Sequence, residues 1–219
     1  MKRFVVFAVA FFANVLSAMP VSADARVLCL GDSNTWIWSP YKASYCDVLD
    51  QMRDDLETVN EGVPGDTSVG AFDRLKGILA NEQFDVVIIF IGTNDVQWWS
   101  KEPNQPSLTV RTIRKMSRYA RTHGARYTVV MTPMPAMTVR DAFCKEVSKK
   151  MVRYSWAPHR RVGFIDLYHL FESRWHDVSA ETTPDANGWN NAMTYDGVHI
   201  MPVVAAEIAN RLASIIPAQ

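Results

Sequence analysis

Residues 85–95 read Asp-Val-Val-Ile-Ile-Phe-Ile-Gly-Thr-Asn-Asp. Val86 to Phe90 are five consecutive β-branched or aromatic residues, and Ile91 follows them. A strand with one wet face would alternate apolar and polar residues. An unbroken run suits a strand buried on both faces, as in a parallel sheet covered by helices. Working outward, the pattern recurs. Arg26–Leu30 is a short apolar run ending at Gly31, and Thr58–Asn60 is a shorter candidate. Tyr127–Thr132 is stopped by Pro133, and Val162–Leu167 is the last strand. Between the strands, apolar residues fall at helical spacing. One stripe is Tyr45, Val48, Leu49, Met52 and Leu56. A second is Val69, Phe72, Leu75, Ile78 and Leu79, with Thr67 or Ser68 as its cap. A helix from about Leu108 to His123 ends at Gly124. Ala142, Phe143, Val147, Met151 and Tyr154 form another stripe. A short helix covers Leu167–Trp175, and Val203–Ile216 is the closing one. Residues 177–196 are polar and contain Pro184 and Gly188, a loop composition. Alternating strands and helices predict an α/β fold with helices on both faces of the sheet. In such a fold ligands sit beyond the carboxyl ends of the strands, so chemistry is sought there.

The chain has 219 residues, 48% hydrophobic and 21% charged, which excludes disordered and low-complexity classes. Lys+Arg and Asp+Glu are both 23, so charge gives no case for nucleic acid or an acidic membrane surface. Residues 1–23 stand apart. Lys2 and Arg3 precede an apolar run, Phe4–Leu16, broken only by Asn14, and Val21-Ser22-Ala23 offers small residues for cleavage. This is the pattern of an export signal, and the run is shorter than the roughly 20 residues that span a bilayer. The expectation is cleavage after Ala23 and export to a periplasm or beyond, with no stable membrane insertion afterwards. Residues 24–219 then form a single domain with a net charge of −2, since no repeat, charge run or Ser/Gly linker marks a second one. Cys29 lies in a strand pattern and reads as a small core residue. Cys46 and Cys144 are the pair that an oxidising compartment would make worth testing.

Four short blocks sit after strands or before the last helix. They are Gly31-Asp32-Ser33-Asn34-Thr35-Trp36, Asn60-Glu61-Gly62-Val63-Pro64-Gly65-Asp66-Thr67, Gly92-Thr93-Asn94-Asp95 and Asp196-Gly197-Val198-His199. Each alone is a common turn. In this order and context they resemble the SGNH hydrolases, also called the GDSL esterase/lipase family, over essentially all of the chain after residue 25. The resemblance implies a flavodoxin-like, three-layer α/β/α fold with a five-stranded parallel sheet in the order 2-1-3-4-5. By motif it matches Ser33, Gly62, Asn94 and His199 to the family's four named residues, and Asp196 to its terminal aspartate.

The chemistry agrees with the motif. A serine hydroxyl is a weak nucleophile until a base takes its proton. His199 is the candidate base, and Asp196, three residues earlier, can fix its tautomer. The Ser33 and Gly62 backbone N–H groups and the Asn94 amide are candidate oxyanion donors. Asp32 and Asp95 read as structural carboxylates that bond nearby backbone N–H groups. The family most often has Leu after Gly-Asp-Ser, whereas this chain has Asn34. Gly-Asp-Ser-Asn-Thr-Trp resembles an arylesterase-like or small-ester branch, but Ile37 stands where such relatives often have Gly. Trp36, Trp38, Trp98 and Trp99 flank the blocks and Trp189 lies in the polar loop. They are either packing residues or an aromatic rim for an aryl, acyl or sugar group.

No cofactor is expected, and His123, His159, His169 and His176 show no metal-ligand spacing. The implied topology places Cys46 and Cys144 on helices at opposite faces of the sheet, which disfavours their pairing. The leading expectation is an exported serine esterase for short-chain or aryl carboxylic esters. Alternatives are a carbohydrate O-acetyl esterase, a thioesterase or lysophospholipase, an acyltransferase, and a non-catalytic binding module on the same fold. The partner is a small-molecule or carbohydrate ester. The sequence does not fix the oligomeric state.

Overall fold

The structure, a computed structural model, describes residues 24–36, 44–96, 106–136, 139–154, 156, 161–175, 193–194 and 196–218. The elements in chain order are β1 (Ala25–Gly31), α1 (Tyr45–Met52), β2 (Leu56–Gly62), α2 (Ser68–Asn81) and β3 (Val86–Phe90). A 3-10 turn (Thr93–Asp95), α3 (Pro106–Thr122), β4 (Tyr127–Met131) and α4 (Val139–Arg153) follow. The chain then forms β5 (Val162–Ile165), α5 (Leu167–Trp175) and α6 (Pro202–Ile215). The strands form one parallel sheet in the order β2-β1-β3-β4-β5. This is the expected three-layer architecture, with most element ends shifted by one or two residues; α4 starts three residues before its stripe, and Leu56, the last residue of the first stripe, belongs to β2 because α1 ends at Met52.

Strand periodicity sets the layers. Val27 and Cys29 of β1 face the same way as Ile88 and Phe90 of β3, and there they meet Tyr45 and Leu49 of α1, Phe171 of α5 and Ile208 and Leu212 of α6. Leu28 and Leu30 point to the other face with Val87 and Ile89, against Leu75 of α2, Ile113 and Met116 of α3 and Val147 and Met151 of α4. The central strand β3 is buried at every position, as its unbroken apolar run requires. Residue caps define two of the helix starts. Ser44 accepts the Cys46 N–H at 3.1 Å, and Thr67, one of the two expected caps, accepts the Gly70 N–H at 3.3 Å.

The cysteines differ from expectation. Cys46 bonds to Cys29, with Cα atoms 6.2 Å apart, and Cys144 is free and buried. Cys29 is therefore more than a core residue. Strand alternation turns its side chain to the face that α1 covers, where Cys46 occupies the first helical turn. Cys46 and Cys144 do lie on helices that cover opposite faces: α1 packs with β1 on one, and Val147 and Met151 of α4 pack on the other. That part of the topological argument holds.

Candidate active site

β1 and β3 end side by side, and each strand is followed at once by a tight turn. After Gly31 the chain folds tightly, with the Thr35 and Trp36 N–H groups both donating to the Asp32 carbonyl at 3.0 Å. The turn holds Ser33 at the sheet edge with 7% of its surface exposed. Its Oγ lies 2.9 Å from Nε2 of His199. His199 Nδ1 lies 2.5 Å from Oδ2 of Asp196. The other Asp196 oxygen accepts the backbone N–H groups of Val198 and His199, at 2.9 and 2.8 Å. Burial pushes the Asp196 carboxyl up. The hydrogen bonds from His199 and from these amides, with the attraction of the imidazole, outweigh it and hold the group below its usual value. The carboxylate therefore stays ionised and keeps the His199 Nδ1 proton, which leaves Nε2 to accept from Ser33. All three residues singled out in the sequence meet in one hydrogen-bonded line.

Asn94 sits in the 3-10 turn after β3, and its side-chain amide donates to the Asp66 carbonyl at 3.1 Å. That leaves one amide hydrogen for another acceptor. The Ser33 N–H makes no hydrogen bond among the described residues.

Gly62 departs from its expected role. Its N–H donates to Asn60 Oδ1 at 3.0 Å. A Cβ on Gly62 would lie 2.2 Å from the Trp36 nitrogen, so glycine is needed there to let the nucleophile turn lie against β2. Gly65, three residues on, has the properties of an oxyanion donor. It occupies the third position of the turn Val63-Pro64-Gly65-Asp66, closed by Asp66 N–H to Val63 O at 3.1 Å, with φ +77°. The residue is exposed, its N–H makes no hydrogen bond among the described residues, and it directly precedes Asp66, whose carbonyl holds Asn94. The Pro-Gly pair was the sequence signal for it, because Pro followed by Gly marks a type II turn that needs positive φ at the glycine.

Three neighbours tie the parts together. Asn34, which replaces the family's common leucine, uses its side chain on both flanks of His199. It donates to the Val198 carbonyl at 3.3 Å and accepts the Ile200 N–H at 3.1 Å. Asp95 accepts the Ser68 N–H at 2.7 Å and the Ser68 and Thr109 hydroxyls at 2.5 and 2.6 Å, which binds the Asn94 turn to the start of α2 and to α3. Asp32 accepts the Asn34 N–H through Oδ1 at 2.9 Å, while its Oδ2 is buried with no partner among the described residues. Both carboxylates bond backbone N–H groups as expected. Burial raises both, Asp32 to about 7.

Of the aromatic candidates, Trp36 is described and is 43% exposed beside the nucleophile. Trp38, Trp98, Trp99 and Trp189 lie outside the described residues, as do His159 and His176. His123 is exposed and stacks on Tyr119. Among the described residues no group of three His, Cys, Asp or Glu side chains is arranged to hold a metal. A second Asp-x-x-His unit, which the sequence reading passed over, follows β5. Asp166 Oδ2 lies 2.5 Å from His169 Nδ1. The neighbouring hydroxyl, Ser148, bonds Asp166 at 2.9 Å, and among the described residues no hydroxyl is hydrogen-bonded to the outer ring nitrogen as Ser33 is to that of His199.

The sequence pattern of the GDSL-like lipase/acylhydrolase family matches residues 29–202. The chain is 31% identical to esterase TesA of Pseudomonas aeruginosa over 81 residues, and the match spans 37% of this chain and 38% of that protein. Among solved structures, a member of the lipolytic G-D-S-L family from Veillonella parvula superposes with a TM-score of 0.67 at 18% identity, over 87% of this chain and 97% of that one. A catalytic mutant of Axe2, an acetylxylan esterase from Geobacillus stearothermophilus, superposes with a TM-score of 0.66 at 17% identity, over 92% of this chain and all of that one. At these identities the structural likenesses show a shared fold.

Proposed function

The chain belongs to the GDSL-like lipase/acylhydrolase family, and from that premise we propose that it is an exported carboxylic ester hydrolase acting on short-chain or aryl esters through an acyl-enzyme on Ser33. The observation that carries the reading is the unbroken line from Ser33 Oγ to His199 to Asp196. His199 Nε2 takes the Ser33 proton as Oγ attacks the ester carbonyl, and Asp196 stabilises the imidazolium that forms. The carbonyl oxygen becomes an oxyanion facing the Ser33 N–H and the remaining Asn94 amide hydrogen. In place of Gly62, the Gly65 N–H serves as the third donor. His199 then protonates the departing alcohol. A water, deprotonated by the same nitrogen, releases the acid and restores Ser33.

The aryl and small-acyl preference rests on Gly-Asp-Ser-Asn-Thr-Trp and on the exposed Trp36 face. That same face gives a second reading, deacetylation of carbohydrate esters, since an aromatic ring can stack on a sugar. The fold shared with an acetylxylan esterase is congenial to it. Export is supported by the basic-then-apolar residues 1–23 and by the Cys29–Cys46 disulfide, a bond that persists in oxidising compartments. No helix among the described residues is long and apolar enough to cross a membrane.

The test is hydrolysis of p-nitrophenyl esters from acetate to palmitate by the parent and by Ser33→Ala. The expected result is fastest turnover on acetate and loss of essentially all turnover in the variant. Equal rates for the two proteins would remove Ser33 as nucleophile. Release of acetate from acetylated xylan at rates comparable to p-nitrophenyl acetate would favour the carbohydrate reading.

A further inference from the structure

Arg74 lies on α2, outside every sequence block that carries the chemistry, and is about one-quarter exposed. Its guanidinium reaches two backbone carbonyls and one carboxylate. NH2 donates to the Gly31 carbonyl at 3.0 Å, two residues before Ser33. NH1 donates to the Glu61 carbonyl at 3.0 Å, at the end of β2 where the 62–66 loop begins. Nε donates to Asp66 Oδ2 at 2.9 Å, at the end of that loop. Asp66 also supplies the carbonyl that holds the Asn94 amide, and its other carboxylate oxygen accepts the Thr67 N–H at 2.8 Å.

Each contact therefore ends next to one oxyanion donor. Gly31 precedes the turn that presents the Ser33 N–H. Glu61 and Asp66 are the two feet of the loop that presents the Gly65 N–H. Asp66 fixes the Asn94 side chain. We propose that Arg74 is a positioning residue that holds the three oxyanion donors in register with one another and with Ser33. The fork geometry is what the task needs. Five N–H donors in a rigid plane can meet three acceptors at once, whereas a lysine ammonium on a flexible stem is a point charge. No atom of Arg74 has to touch substrate, and its effect falls on the step in which charge develops on the carbonyl oxygen.

This inference rests on the serine esterase reading. The experiment compares the parent, Ser33→Ala, Arg74→Lys and Arg74→Ala on p-nitrophenyl acetate, with kcat and KM measured separately, thermal unfolding of each protein, and added methylguanidinium. Misplacing catalytic groups by about an ångström costs roughly 10²-fold in rate. The expected result is kcat lowered by about that factor in Arg74→Ala, with KM within about threefold of the parent. Methylguanidinium should restore part of the Arg74→Ala rate and leave the parent unchanged. Arg74→Lys, which keeps the charge, should stay slow. A folded Arg74→Ala or Arg74→Lys with parental kcat overturns the proposal. So does a slow Arg74→Ala that methylguanidinium cannot improve while Arg74→Lys is fully active, because charge alone would then suffice. A parent protein with no Ser33-dependent turnover would instead overturn the esterase reading itself.

Discussion

Asp32 stands beside the nucleophile with a carboxyl oxygen that is buried and has no partner among the described residues. Burial lifts its titration from 3.8 to about 7, against the Asn34 N–H, which favours the charged form. The sign of the stability effect follows. Between these two pH values the unfolded chain has lost the proton and the folded chain keeps it, so stability falls as pH rises through that window. At about 1.4 kcal/mol per pH unit the whole loss is on the order of 4 kcal/mol. Asp32→Asn has no such titration. Urea denaturation should show the parent losing stability from pH 4.5 to pH 8 by a few kcal/mol more than the variant, and parallel curves would dismiss the effect. Asn34 invites a second test at this scale. Asn34→Leu restores the family's common residue but leaves the Val198 carbonyl and Ile200 N–H without their partner. It should cost about 1–3 kcal/mol of stability and lower kcat, with acylation slowed because His199 loses its two flanking anchors; an unchanged kcat would show that Asp196 alone suffices. Residues of the reacting line were legible in sequence because their spacing is a chemical requirement. The glycine proposed as oxyanion donor was not, because two glycines lie three residues apart and only the backbone shows whose N–H is engaged.

At the scale of elements, the strands were legible where burial on both faces forces an unbroken apolar run, as in β3. β2 was the least so, because it is an edge strand in which Glu57 is exposed and Thr58 to Glu61 are only half-buried. Its full length emerges only from pairing with β1. Strand parity carries the signal for the disulfide. Position 29 shares a face with position 27, and that face is the one α1 covers. The bond closes a loop with a sequence separation of 17 residues between β1 and α1. A loop of that size gives roughly 3 kcal/mol in the chain-entropy account. For a chain of this length that corresponds to a Tm about 6–12 °C lower in Cys46→Ala. Calorimetry of the parent with and without reductant, beside Cys46→Ala, checks it. A Tm that reductant leaves unmoved would mean the bond adds nothing to the native state.

For the whole molecule, sheet and helices close around two cores, one on each face, from Ala25 to Ile216. β1 begins at Ala25, two residues after the expected cleavage point at Ala23, so all five described strands lie within residues 24–219. The disulfide and the proposed export signal then bear on one property, since the bond persists in the oxidising environment to which export would lead. Protein recovered from an oxidising compartment of an expression host should begin at Asp24, with Cys29 and Cys46 joined and one thiol left. That thiol, Cys144, is buried, and burial pushes its titration far up, so it should resist alkylation until the protein unfolds. The same residues 24–219 made in a reducing cytoplasm should carry three thiols and melt lower by the margin argued for the bond. Intact mass, N-terminal sequencing and thiol counting under native and denaturing conditions read all of this from one preparation. A mature protein that retains residues 1–23, or that carries three thiols after passage through the oxidising compartment, would break the link between export and the fold's single covalent cross-link among the described residues.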